Sequence, residues 1–334
     1  MTSEPLSPHA GHAQVLAPRV SVVLCTHNGE RYLDQALWSI RRQTLAELEV
    51  IGVDDGSTDG TPGILSRHAA EDPRIRITRI EHRGLAEARN HGLELARSRW
   101  VALMDDDDVA APERLERQLR FLDADPGVSA LGTWAWQIGE AGHRGAASDT
   151  GPTTREELAR LRAAGKGVYL IAPTVVLDRD AARAAGGFRQ WMFPAEDIDL
   201  WLRLSDHGTV LAMPDRLLDY RVHARSISST RFMDQMERIL LARENARRRL
   251  AGLAELSVGE HQALLRADGR WRRWQRARVW RARYLYRVGG GRLLDGRSTG
   301  VLWLVAAGLL SPALVASRLR RQVEARRRSA DRPR

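Results

Sequence analysis

The chain has 334 residues, with 52 Lys+Arg against 42 Asp+Glu and a formal net charge of +10. At 43% hydrophobic and 28% charged residues it can bury a sizeable core, which excludes bulk disorder. The charge is uneven: residues 231–334 hold 25 arginines against 9 acidic residues, net +16, leaving 27 basic and 33 acidic residues, net −6, before them.

In chain order, residues 1–18 have neither a hydrophobic run nor a basic start, so they read as a flexible leader rather than a signal peptide. Val20 to Cys25 is a short, apolar, β-branched run of the kind a buried strand needs. Its Cys25 is the only cysteine, which excludes an internal disulfide and fits a reducing compartment. Leu33, Ala36, Leu37 and Ile40 recur at helical spacing. Val50 to Val53 is a second buried strand and runs into Asp54-Asp55-Gly56-Ser57. Ile75 to Ile77 is a third, a helix follows from Leu85 to about Arg97, and Trp100 to Met104 is a fourth strand, ending in Asp105 to Asp108. This alternation predicts a parallel α/β sheet. Beyond it the sequence predicts a helix over Glu113–Leu122, a strand near 128–132, a Gly-rich loop around 139–152 and a strand over Tyr169–Leu177. A helix over Glu196–His207, a strand near Leu217–Val222 and a largely helical remainder complete the reading.

Ligands of open parallel sheets gather at the carboxyl ends of the strands, and two strands here end in acidic groups. Crowded carboxylates repel one another unless a cation or hydrogen-bond donors offset them. Residues i and i+2 of an extended segment share a side, so Asp105 and Asp107 can reach one divalent ion, and oxygen ligands suit Mg²⁺ or Mn²⁺. The competing reading is an acidic loop capping the helix that Pro112 starts.

The sequence resembles a family 2 glycosyltransferase with a GT-A (Rossmann-like) fold over residues 20 to 229. The motifs that carry the resemblance are Val22 to Gly29, Val53 to Asp59, Gly84 to Asn90, Met104 to Asp108, Ala195 to Trp201 and Tyr220 to Ser228, in the family's order. The resemblance implies an inverting, metal-dependent enzyme with a nucleotide-sugar donor, UDP by default. It assigns the catalytic base to Asp197, metal binding to Asp105 and Asp107, and contacts to the nucleotide sugar to Thr26, Asn28, Asp54, Asp55, Arg89, Asp106 and Arg221. His223 is a metal ligand or a diphosphate contact, and Trp191 and Glu196 mark the acceptor region. Against these stand plainer roles: a helix-dipole charge for Asp197, a salt bridge for Arg89 and a surface imidazole for His223. Ala172-Pro173-Thr174 departs from the family's His-Pro-Ser, so no acceptor role is assumed for that loop.

The resemblance divides the chain into a leader, a catalytic domain over 19–230 and a basic helical region over 231–334. In the last, Trp271, Trp274, Ala277, Leu285 and Val288 can share one face among arginines, as in helices that lie in a membrane interface. Residues 301–316 are uncharged but too short to span a bilayer, and Arg318, Arg320, Arg321 and Arg326 to Arg328 flank them, suiting an anionic cytoplasmic leaflet. The expected enzyme is thus cytoplasmic and peripheral, acting on a glycan or lipid-linked acceptor in cell-surface polysaccharide synthesis. An appendage packed on the catalytic domain, or used for homodimerisation, is the alternative for the tail. A nucleic-acid-binding protein is disfavoured by the acidic body, and a catalytically silent scaffold by the retained acidic motifs.

Overall fold

The computed structural model describes residues 17–318. The expected leader up to residue 16, and Arg320, Arg321 and Arg326 to Arg328, lie outside the described residues. Among the described residues there are nine strands: β1 Val20–Thr26, β2 Leu48–Asp55, β3 Ile75–Ile80, β4 Trp100–Asp105, β5 Val109–Ala110, β6 Val128–Ile138, β7 Arg144–Ser148, β8 Val176–Asp178 and β9 Thr209–Arg221. The body helices are α1 Leu33–Arg41, α2 Thr61–Glu71, α3 Leu85–Leu95, α4 Arg114–Ala124, α5 Arg155–Ala163, α6 Arg179–Ala184 and α7 Glu196–His207. Then follow α8 Ile227–Thr230, α9 Phe232–Leu250, α10 Val258–Ala267, α11 Arg270–Leu294 and α12 Gly300–Leu310.

The strands form one sheet in the order β3-β2-β1-β4-β8-β6-β9-β5, with β7 beside β6. β1 to β4 pair in parallel, but β8 runs antiparallel to both β4 and β6, so the sheet is mixed rather than parallel throughout. The α/β class holds. Val20, Val22 and Leu24 of β1 join one core with Leu33, Leu37 and Ile40 of α1 and Leu115 and Leu119 of α4. Val23 and Cys25 point the other way, into a core with Ala86, Ala88 and Leu93 of α3 and Leu200 and Trp201 of α7. A strand covered on both faces is apolar along most of its length, which is why β1 shows no alternation, and its buried Ser21 is satisfied by donating to Glu49. Gly92 lets α3 lie close on the sheet, since a Cβ there would run into Val23.

Several elements differ from expectation for local reasons. The expected strand over Tyr169–Leu177 is a 3₁₀ turn at Ala172–Thr174 followed by the short β8; Pro173 has no N–H to give a ladder. The expected loop near 139–152 contains β7, and α2 was not anticipated because it buries only Thr61, Leu65 and His68. The basic region packs on the body: Leu241 and Ala242 of α9 share a core with Met192, Ala195, Ile198 and Leu202. α11 and α12 form a hairpin closed so tightly that a Cβ on Gly289 or Gly300 would meet the other's carbonyl.

Candidate active site

The register of the central strands brings the acidic ends together. Thr26 pairs with Asp54 across β1 and β2, and Cys25 with Asp105 across β1 and β4. A cleft of about 1870 Å³ opens there, with Thr26, Asn28, Asp55, Arg89, Asp105, Asp106, Asp107, Glu196, Asp197 and His223 among its lining residues. Most of the residues expected at the site are thus brought together.

The residues after β4 divide into distinct roles. Asp105 accepts from Arg89 at 2.9 Å. Asp106 accepts from the Thr26 hydroxyl and packs where a Cβ on Gly29 would stand. Asp107 meets the His223 Nε2 at 2.9 Å, while the buried Asp108 accepts the Arg221 backbone N–H at 2.7 Å. Burial, reinforced by the neighbouring carboxylates, pushes the Asp106 carboxyl up to about 8 and that of Asp108 well above the usual range. Asp105 is raised as well, since burial outweighs the nearby Arg89. Asp108 Oδ2 has no hydrogen-bond partner. Carboxylates crowded to this degree against an imidazole are a hard donor set short of positive charge, and Mg²⁺ or Mn²⁺ fits that shortage.

His27, Asp55 and His82 form the one group among the described residues whose ligand atoms lie within 4.8 Å of one another; Asp105, Asp107 and His223 do not gather so tightly. The two imidazoles, however, are stacked with centroids 4.0 Å apart, and Asp55 already accepts the Arg83 and Gly84 N–H groups at 2.8 and 2.9 Å. That arrangement is a saturated wall, with little left for an ion.

Asp197 stands at the start of α7 and accepts the Ile198 N–H at 2.7 Å. Burial first, and then the charge of Glu196, push its carboxyl up to about 7, against the pull of Arg89. Arg89 itself is buried and bridges two elements, donating to Glu196 at 3.0 Å and to Asp105 at 2.9 Å. The salt bridge that sequence offered as its plainer role is present. Arg89→Met should destabilise the fold by about 3–5 kcal/mol, because it leaves buried carboxylates without their partner; urea unfolding of the variant against the wild type measures this.

Three expected contacts are placed differently. Arg221 does not line the cleft: its nitrogens hold the carbonyls of Asp107, Gly139 and Glu140 and the Gln35 side chain, at 2.6, 3.0, 3.2 and 2.7 Å respectively. It braces the loop of Asp105 to Asp108 from behind. Asp54 turns inward and accepts the Ser57 N–H at 2.8 Å, capping the turn after β2. Trp191 is 44% exposed and lies off the cleft under Arg189, whereas its neighbours Gln190, Phe193 and Pro194 line it. Asn28 lines the cleft in a left-handed conformation, φ 54°, and ties the loop after β1 to the Thr58 N–H at 2.8 Å.

Sequence reasoning missed other residues of the cleft. Tyr169, Tyr220, Arg283 and Arg287 line it, and Arg114 lies buried beneath it, donating to the Leu103 carbonyl at 3.0 Å. Arg283 and Arg287 carry no local signal, because their placement depends on the tail folding back onto the body, whereas Tyr220 opens a motif that the sequence did mark.

Residues 21–185 match the sequence model described as Glycosyl transferase family 2. TuaG of Bacillus subtilis, whose name ascribes to it a glycosyltransferase role in teichuronic acid biosynthesis, is 31% identical over 225 residues, 64% of this chain and 83% of that relative. Residues 1–349 of TarS from S. aureus, solved in complex with UDP, share the fold with a TM-score of 0.54 at 18% identity, over 86% of this chain and 88% of that one. The mannosyltransferase PcManGT from Pyrobaculum calidifontis, solved in complex with GDP-Man and Mn²⁺, has a TM-score of 0.54 at 21% identity, over 88% of this chain and 86% of that one. These likenesses bear out the α/β GT-A fold with a helical C-terminal region.

Proposed function

The chain belongs to glycosyl transferase family 2, and from that membership we propose an inverting hexosyltransferase of cell-surface polysaccharide synthesis. Its donor is a nucleotide-diphosphate sugar, UDP by default, and its acceptor a hydroxyl of a glycan or lipid-linked glycan. The observation that carries the reading is the Arg89 bridge, which ties the strand end bearing Asp105 to the helix start bearing Asp197 through Glu196. One guanidinium thereby sets the spacing between the leaving-group side and the base side of a single cleft.

Thr26, Asn28 and Asp55 line the nucleoside end, with the His27–His82 stack beside them, and Asp106 faces the donor where Thr26 holds it. Asp105 and Asp107, with His223 behind Asp107, would hold Mg²⁺ or Mn²⁺, and such an ion would supply positive charge to offset that of the leaving diphosphate. Asp197 accepts the proton of the acceptor hydroxyl as that oxygen bonds the anomeric carbon. The anomeric C–O bond to the diphosphate breaks as the new one forms, and its electron pair leaves on the phosphate oxygen. Attack from the face opposite the leaving group inverts the anomeric centre.

The purified chain, given UDP-, dTDP- and GDP-sugars with Mn²⁺ or with EDTA and analysed for products, should release nucleotide from at least one donor only when metal is present. Indifference to the whole panel would refute the assignment.

Among the described residues no helix is long and apolar enough to cross a membrane. The tail nevertheless exposes Trp271 by 67%, Leu302 by 70% and Leu309 by 81%, a face suited to a peripheral site on an anionic cytoplasmic leaflet. The protein should float with phosphatidylglycerol vesicles, and Leu302→Glu with Leu309→Glu should abolish flotation. Equal flotation would remove the membrane role, and a concentration-dependent dimer lost in the same variant would assign the face to a second copy.

A further inference from the structure

The tail grips the helix that carries Asp197 at two points. Asp199 and Asp206 stand two turns apart on one side of α7. The fully buried Asp199 holds Arg203 at 2.7 Å. Its Oδ1 has no hydrogen-bond partner but lies 3.8 Å from Arg189. Arg189 in turn reaches Glu255, in the link between α9 and α10, at 2.6 Å. Glu255 also meets Arg249 of α9 at 2.6 Å, and Arg249 returns to Asp206 at 2.6 Å. The circuit leaves α7 at Asp199, crosses into the tail at Glu255 and comes back to α7 at Asp206.

The link that presents Glu255 is itself held in place. The buried Asn245 of α9 grips the Leu256 backbone from both sides, accepting from its N–H at 2.8 Å and donating to its carbonyl at 3.1 Å. The Leu253 N–H bonds the Arg248 carbonyl at 2.8 Å. Burial pushes the Glu255 carboxyl up, but the bonds from Arg249 and Arg189 win and hold it below its ordinary range.

Leu241 and Ala242 of α9 already pack on Ile198 and Leu202 of α7, but apolar contact is non-directional. Guanidinium–carboxylate pairs carry a preferred geometry, so the circuit sets where α7 lies along and about its axis. Arg189 also precedes the turn Gln190–Met192, and Gln190, Phe193 and Pro194 line the cleft. Gln235 of α9 donates to the Pro194 carbonyl at 3.0 Å. One short run of chain, from Arg189 to Asp197, thus carries both the cleft wall and the start of α7.

Resting on the reading of Asp197 as the base, we infer that Glu255 is a positioning residue for the transfer step. Through Arg189 and Arg249 it fixes α7 so that the Asp197 carboxyl stands at the acceptor hydroxyl. The tail is on this account part of the catalytic geometry, although Glu255 touches no substrate.

The test compares steady-state kinetics of full-length Glu255→Gln, Arg189→Lys and the double variant with the wild type and Asp197→Asn, using the donor that the panel identifies. Glutamine keeps the shape of residue 255 without its charge, and lysine keeps the charge of residue 189 without the planar fork. Each single variant should lower kcat at least about tenfold, as a small misplacement of a reacting group does. The donor KM should stay unchanged, because Thr26, Asn28 and Asp55 rest on other elements. The double variant should lose no more than the worse single one, since both break the same link. Binding of the nucleotide sugar with Mn²⁺ at wild-type affinity shows that a variant folds; should Glu255→Gln not fold, Arg189→Lys alone decides. Wild-type kcat in a folded variant, even with a lower melting temperature, would overturn the inference by reducing the circuit to packing. A raised donor KM at unchanged kcat, or losses that multiply in the double variant, would overturn it too. An unimpaired Glu255→Gln beside a slowed Asp197→Asn refutes the positioning role alone, whereas an unimpaired Asp197→Asn refutes the base reading beneath it.

Discussion

Asp197→Asn is expected to slow sugar transfer by about 10²–10⁴-fold, the range a positioned general base supplies, while the nucleotide sugar still binds with wild-type affinity. Asparagine keeps the shape of the side chain and its hydrogen bond from the Ile198 N–H, but it cannot take a proton. In the wild type, burial and Glu196 push the Asp197 carboxyl up to about 7. The rate should therefore rise about tenfold per pH unit below that value and level off above it, and the residual rate of the variant should lack this limb. The sign for stability runs the other way. A carboxyl raised in the folded state binds more protons there than in the unfolded chain, so its contribution is present at low pH and lost as pH rises through about 7. Asparagine, neutral throughout, escapes that loss, and the variant should melt no lower than the wild type at pH 8. Full activity in Asp197→Asn would remove Asp197 as the base.

Asp105→Ala should lower transfer by about 10²–10³-fold, the scale seen when one group stabilising transition-state charge is removed, and EDTA should stop wild-type turnover. The two treatments should converge, since each disables the same charge-neutralising site. Asp105 also receives one arm of Arg89, so its loss leaves that guanidinium on Glu196 alone and loosens the link to α7. Asp106→Asn gives a comparison without that complication, because Asp106 engages Thr26 and not Arg89. Unchanged turnover of Asp105→Ala in EDTA would contradict the metal reading outright.

The clustering of acidic strand ends was legible because it rests on short-range rules. Apolar runs broken by Asp54-Asp55-Gly56 and by Asp105 to Asp108 can end only as strand tips, and parallel pairing then sets those tips side by side. The position of Asp197 at a helix start was legible from its place before Leu200 and Trp201. Arg221 was misjudged because its partners, Gln35 and the Gly139 carbonyl, lie 186 and 82 residues away. Spacing along the chain cannot reveal that a guanidinium is already satisfied. The tail was harder still. Its arginines and aromatic residues read first as a membrane face, with a packed appendage as the alternative, and the structure gives the region a packed inner side and an exposed outer one. The link that turns the α11–α12 hairpin over the cleft runs through particulars such as the Glu140 N–H on Asp295, at 2.7 Å, which no periodicity announces.

The central claim is a single displacement across one cleft, with the leaving diphosphate at Asp105 and Asp107 and the attacking hydroxyl at Asp197. Proton NMR of the first-formed product, taken with the donor that the panel identifies, reads this directly from the anomeric coupling. The account predicts a glycoside of the opposite anomeric configuration to the donor; a product that retains the donor's configuration would contradict it.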